Sequence, residues 1–340
     1  MIGPSRFTDE STRSAATSNS YAAAKPNAAE KPSVSTKMAA SAWQQRKERG
    51  SGTLLLFMTR LSLLLGRSLT RPILYFIALY FFAVVRPARM ASRQYLNRAL
   101  GRRATPVDLY KHIFAFTTTI HDRVFLLNDR YDTFDIKHIG TAALHAANAN
   151  KQGILLFGAH LGSFEVLHTI ARINPDIDMY MAMYPENARQ INRAMASINP
   201  GATQKIIALG QLDATLKINE KLHEGALVGV LADRTSGADK YECLPFLGSD
   251  AYFPCGPFRM AAMLRYPVFF MTGLYRGGNR YDVHFELIED FAQTQGKHRD
   301  VVMREIMHNY VATLERHCLA APFNWFNFFD FWQDHRSEHG

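Results

Sequence analysis

The feature that most constrains this chain is a series of short apolar runs after Gly153, each parted from the next by helical spacing. Ile154-Leu-Leu-Phe-Gly-Ala159, Met179 to Tyr184, Lys205 to Leu209 and Ala226 to Ala232 are five to seven residues long and barely alternate with polar residues. A strand with one wet face alternates, whereas a strand covered on both faces reads as a continuous apolar run. Glu186 to Ile198 and Gln211 to Glu224 read as helices, the second ended by Gly225. Pro257 to Tyr266 reads as a helix with proline in its first turn, and Arg299 to Leu319 as a long last helix. Val268 to Tyr275 and Tyr281 to Leu287 read as strands joined through Gly277-Gly278-Asn279, a hairpin signal. The expected fold class is α/β: a central, mainly parallel or mixed sheet flanked by helices.

The N-terminal part differs. Residues 1–42 are rich in Ser, Ala, Thr and Lys, lack apolar periodicity and read as a disordered tail. Residues 43–103 hold twelve Lys or Arg against one acid, Glu48, so this segment alone exceeds the +9 of the whole 340-residue chain. It also holds Leu54 to Met58, Leu61 to Leu65 and the run from Pro72 to Val85. A basic block can face nucleic acid or an anionic membrane. Here the aromatic residues stand in aliphatic company rather than alternating with basic ones, which argues against nucleic acid and for a membrane surface, the plainer alternative being a buried core helix with a charged flank. The last run has fourteen residues, fewer than the ~20 a spanning helix needs. Arg60, Arg67 and Arg71 interrupt its continuation upstream, so a helix dipped into the headgroups with arginines snorkelling is expected. From Arg86 to about Asn128 the spacing is helical, and residues 104–335 form the α/β domain. Three scattered cysteines without a CxxC pair exclude a disulfide scaffold and a thiolate zinc site, and no cofactor or metal is expected.

One spacing carries chemistry. His160 and Glu165 stand in His-Leu-Gly-Ser-Phe-Glu, directly after the first apolar run. The carboxyl end of a strand is where open α/β sheets gather reactive groups. A second HxxxxE spacing, His284 to Glu289, lies inside an alternating strand, where positions five apart face opposite sides. With His160 as a general base, Glu165 could reach back to fix its tautomer. Gly162 and Ser163 would leave backbone N–H groups free for an anion or oxyanion. The plainer alternative makes His160 a turn residue and Glu165 a partner of the helix dipole. There is no GxSxG elbow and no Gly-rich phosphate loop, so a bound hydroxyl, deprotonated by His160, would attack directly.

These residues resemble the lipid A biosynthesis (lauroyl and myristoyl) acyltransferases, within the lysophospholipid acyltransferase superfamily. The resemblance spans about Trp43 to Trp332 and rests on the basic-apolar anchor, Gly153 to Glu165, Leu231-Ala-Asp233-Arg234, Leu244-Pro-Phe246-Leu-Gly248, Ala251 to Pro257, and the aromatic Asn324 to Trp332. It implies transfer of a fatty acyl chain from an acyl-carrier-protein thioester donor to a hydroxyl of a glycolipid acceptor. It implies work at the cytoplasmic face of the bacterial inner membrane, without a metal. By resemblance His160 and Glu165 are catalytic, Asp233 fixes the site or positions the acceptor, and Arg189 faces phosphate or the thioester oxyanion. Arg234 stands where the family usually has glutamine, which bears on the acceptor pocket. An acceptor of another kind, such as a polyene lipid, a lipid-binding protein with a degenerate site, and a hydrolase using water are the competing readings. The aromatic end reads either as a packed edge or as a lipid-facing groove.

Overall fold

The computed structural model describes residues 52–149, 151–168, 178–185, 187, 189, 196, 198–199, 205–211, 213–234, 240–292 and 294–332. The tail expected over 1–42, and most of the helix expected from Glu186 to Ile198, fall outside the described residues.

Among the described residues, seven strands form one sheet. In chain order they are β1 (Asp135–Ile139), β2 (Ile154–Gly158), β3 (Met179–Met183), β4 (Ile206–Ala208), β5 (Leu227–Leu231), and β8 (Val268–Tyr275) and β9 (Arg280–Glu289), numbered after a separate hairpin of β6 (Tyr241–Phe246) and β7 (Ser249–Pro254). The spatial order is β1-β9-β8-β2-β5-β3-β4. β8, β2, β5, β3 and β4 pair in parallel, β9 runs antiparallel to β8, and β1 runs parallel to β9. The sheet is thus mostly parallel, and the hairpin expected at Gly277-Gly278 is present. The β6–β7 hairpin and the edge strand β1 had no counterpart among the expected strands.

Two apolar layers sandwich the sheet, so the central runs need no alternation. Leu155, Phe157, Val228, Val230 and Phe270 join one cluster, with Ile306, Tyr310 and Leu314 of the last helix. Ile154, Leu156, Leu227, Phe269 and Met271 join the other, with Val124, Phe125 and Val166. Among the described residues the helices are α1 (Gly52–Val84), α2 (Arg86–Ala99), α3 (Pro106–Leu126), α4 (Thr141–Asn148), α5 (Ala214–His223), α6 (Gly256–Leu264) and α7 (Arg299–Ala320). α3 starts on a capping box, with the Thr105 hydroxyl accepting from the Asp108 N–H and the Asp108 carboxylate accepting from the Thr105 N–H.

The N-terminal arm departs from expectation in an informative way. α1 breaks at Gly66, whose φ of 80° lies outside the helical region, and carries Pro72. Residues Phe57–Val84 are long and apolar enough to cross a membrane by length and composition. The first part of its buried face is polar: Ser62, Arg67 and Thr70 are buried, and Ser62 and Thr70 both meet His121 Nε2, while Leu74 and Ala78 are buried further along. The outward face is apolar, with Leu64 82 %, Leu69 68 % and Phe76 74 % exposed. Arg67 does not snorkel as expected. Its guanidinium clasps both oxygens of Asp122, at 2.7 and 2.9 Å, while Tyr281 donates to the same carboxylate. Arg71 donates to the Tyr275 hydroxyl.

Candidate active site

Two strand ends create the site. β2 and β5 are hydrogen-bonded neighbours, and their register pairs Gly158 with Leu231. His160 and Asp233 each lie two residues beyond that pair, so parallel pairing sets them side by side at the carboxyl edge. The ladder continues past the strands, with the Ala232 N–H donating to the Gly158 carbonyl. Asp233 Oδ1 lies 2.9 Å from His160 Nδ1, and Asp233 Oδ2 accepts the His160 backbone N–H at 3.0 Å.

A carboxylate accepts, so Nδ1 carries the proton and the Nε2 lone pair is left for chemistry. Burial works to raise the Asp233 pKa, but the imidazole and the Arg234 cation outweigh it and lower it to about 2. His160 is half-exposed while Asp233 is buried. Partial burial, assisted by Arg234 and opposed by Asp233, lowers the His160 pKa below the ordinary histidine value. The imidazole is therefore neutral, and basic, at neutral pH.

Arg234 Nε sits 2.9 Å from His160 Nδ1 and 3.2 Å from Nε2. The two ring nitrogens point away from each other, so one N–H cannot align with both, and the guanidinium lies across the ring instead of capping either nitrogen. Its other neighbour is the Phe329 ring, 5.0 Å from the guanidinium carbon. The structure thus brings the expected Asp233 and Arg234 onto His160.

Glu165 is placed differently. Its carboxylate pairs with Arg123 of α3 and accepts from the Ser163 hydroxyl at 3.1 Å. The partner on His160 Nδ1 is Asp233, and the reach of Glu165 back to the imidazole is not the arrangement found. Among the described residues after His160, Glu165–His168 is a 3-10 turn. Nor are the Gly162 and Ser163 N–H groups free. Gly162 donates to the Asn324 carbonyl at 2.8 Å and Ser163 to the Gly273 carbonyl at 2.7 Å. Gly162 serves a close approach instead: its φ is 77°, and a Cβ there would meet the Gly273 carbonyl oxygen at 2.1 Å. Arg189 lies exposed beyond the end of β3.

The C-terminal aromatic segment forms the back wall. The Phe326 N–H donates to the His160 carbonyl at 2.7 Å. Trp325 is fully buried and its indole N–H points to Asp233 Oδ2 at 3.3 Å. The Trp325 carbonyl accepts from His112 Nε2, and Ser92 holds the other nitrogen of that ring, each at 2.8 Å. Trp325 is therefore packing and not a membrane-facing residue, and Trp332 is half-buried with Arg98 over its ring at 4.2 Å. Sequence reasoning missed Trp325 and Arg123 as site neighbours. It also missed the 160–233 pairing, although both residues follow their apolar runs at equal distance, a readable signal once the two strands are taken as neighbours.

The family model described as bacterial lipid A biosynthesis acyltransferase matches residues 46–334. No curated protein matches the chain.

Proposed function

The chain belongs to the bacterial lipid A biosynthesis acyltransferase family and is an acyltransferase, and from that premise we propose that it moves a fatty acyl chain from an acyl-carrier-protein thioester to a hydroxyl of a lipid A-like glycolipid. His160 is the general base. The observation that carries this reading is the 2.9 Å contact of Nδ1 with Asp233, which leaves Nε2 of a neutral, partly exposed imidazole as the basic nitrogen.

The steps follow from those groups. Nε2 takes the proton of the acceptor hydroxyl, and the oxygen attacks the thioester carbonyl carbon as the C=O π pair moves onto oxygen. Asp233 stabilises the imidazolium formed in this step. The Arg234 guanidinium, across the ring, supplies donors for the developing oxyanion, a task the Gly162 and Ser163 N–H groups cannot take while they hold Asn324 and Gly273. The tetrahedral adduct then collapses, the C–S bond breaks, and the thiolate takes the proton from Nε2. Glu165 acts at one remove in this reading, holding the Ser163 turn against α3 through Arg123. Arg189 is kept as a residue that meets donor or acceptor phosphate.

The apolar outer face of α1 supports work on a membrane, placed by this reading at the cytoplasmic face of the inner membrane. A soluble helix leaves few large apolar residues exposed, whereas α1 buries Ser62, Arg67 and Thr70 beside Leu74 and Ala78 and exposes Leu64, Leu69 and Phe76. A different lipid hydroxyl, such as that of a polyene lipid, is favoured as acceptor by one observation: Arg234 adjoins the base where glutamine is usual.

The test is lipid mass spectrometry of cells carrying the intact protein or His160→Ala. A lipid one acyl chain lighter in the variant is expected, and its identity names acceptor and chain. Free fatty acid without an acylated product would assign a hydrolase. An unchanged lipid profile, with the variant abundant on membranes, would remove His160 as the base and favour a lipid-binding role.

A further inference from the structure

A second group of ligand-type side chains lies outside the acyl-transfer site, on the face of β9 that meets α7. His284 and Glu286 are two residues apart on β9 and share a face, while Tyr281, Val283 and Phe285 fill the apolar layer on the other side. His317 comes from the last turn of α7. The imidazole nitrogens of His284 and His317 and a carboxylate oxygen of Glu286 all lie within 4.8 Å of one another.

Their hydrogen bonding is uneven. His317 is buried, stacks on Phe270 at 5.3 Å, and sets Nε2 2.6 Å from Glu286 Oε1. Arg316 holds the other oxygen of Glu286. His284 faces the His317 ring at 4.9 Å, yet its Nε2 is buried with no hydrogen-bond partner among the described residues. Burying an imidazole nitrogen beside an ion pair without bonding it costs stability. A simple hydrogen bond between Glu286 and His317 leaves that nitrogen unexplained, and a shared cation explains it.

We propose that His284, Glu286 and His317 bind a divalent transition metal ion, zinc being the natural occupant, as a structural clip between β9 and the end of α7. Two imidazoles and one carboxylate oxygen form a ligand set that suits zinc, with water as the fourth ligand. Tetrahedral zinc with bonds of about 2.0–2.2 Å holds its ligand atoms about 3.3–3.5 Å apart. His317 Nε2 and Glu286 Oε1, 2.6 Å apart in the metal-free pair, must part for both to bind the ion. Arg316 on the far carboxylate oxygen then orients the ligand, as outer partners of metal ligands do. The clip sits where the chain leaves α7 for the Trp325 segment, so the metal holds the base of the wall behind Asp233 and takes no part in acyl transfer.

The experiment uses the full chain in detergent, stripped with chelator and titrated with cobalt(II) alone. Uptake of one equivalent, with the strong visible absorption of four-coordinate cobalt and its loss on adding zinc, is the expected result. His284→Phe and His317→Gln each abolish that absorption, and His160→Ala retains it. Zinc raises the unfolding temperature of the intact chain and not of His284→Phe. Because His284 Nε2 holds no hydrogen bond to lose, His284→Phe decides the matter even where His317→Gln fails to fold. Absence of saturable uptake, or equal uptake in His284→Phe, overturns the proposal. Loss of the absorption in His160→Ala also overturns it, by moving the ion to the acyl-transfer site. All of these readouts are independent of transferase activity.

Discussion

Two buried charge clusters stand in different parts of this molecule and serve opposite ends. At the N-terminal arm, Arg67 and Asp122 are 6 % and 0 % exposed, and Tyr281, the Gly278 carbonyl and both carboxylate oxygens are all engaged. At the carboxyl edge of the sheet, Asp233 is 2 % exposed but its partner His160 is 32 % exposed. The first cluster is sealed: its acid meets a permanent cation, and nothing in it can reach a substrate. The second is open on one side: its acid meets a titratable ring whose second nitrogen is available. A closed ion pair holds elements together at a high desolvation cost, whereas an open one spends the same buried carboxylate on setting the state of a reactive group.

The comparison can be broken at its strongest point first. Asp233→Asn should lower the transfer rate by about 10³–10⁴-fold, because an amide no longer selects the Nδ1–H tautomer. Folding stability should change little, as checked by thermal unfolding beside turnover. The matching change in the sealed cluster, Asp122→Ala, strands Arg67 in the interior. It should cost about 3–5 kcal/mol in denaturant unfolding, while the rate per folded molecule falls far less than in Asp233→Asn. Equal losses of rate would mean that the two clusters are one functional unit.

Glu165→Gln sharpens the assignment further. As a positioning residue acting through Arg123 and Ser163, it should cost about tenfold in kcat/KM, the scale of a small misplacement near the reacting groups. A loss matching Asp233→Asn would instead show that Glu165 replaces Asp233 on the imidazole during turnover.

The smallest effect is one of pH. Burial and Arg234 hold the His160 pKa below its ordinary value of 6.5. A base must be neutral, so activity should rise through that lowered pKa and be level at neutral pH. Removing the cation in Arg234→Gln should move the acid limb upward, toward 6.5. A limb that stays in place would remove the electrostatic role of Arg234.

Much of this was legible from residue patterns. Unbroken apolar runs such as Ile154 to Ala159 demand cover on both faces, and both layers are present. The hairpin through Gly277-Gly278 and the last helix need only local signals. β1 was hidden because Asp135-Ile-Lys-His-Ile139 carries two charges, and its strand state comes from pairing with β9 at the sheet edge. The β6–β7 hairpin was hidden because Pro245 and the two-residue turn at Leu247 and Gly248 mask its alternation.

By itself the sequence determined the fold class, the apolar arm and the place of His160 after a buried strand, because burial and strand position are properties of local composition. Only the tertiary structure decided which acid contacts His160. Glu165 is five residues away but is drawn to Arg123, and Asp233 is 73 residues away but one strand over. Register between parallel strands is a long-range hydrogen-bonding outcome, so proximity in the chain was the wrong guide. The fate of Arg67 was decided in the same way: an arginine inside an apolar run looks lipid-bound until Asp122, on another helix, is there to receive it.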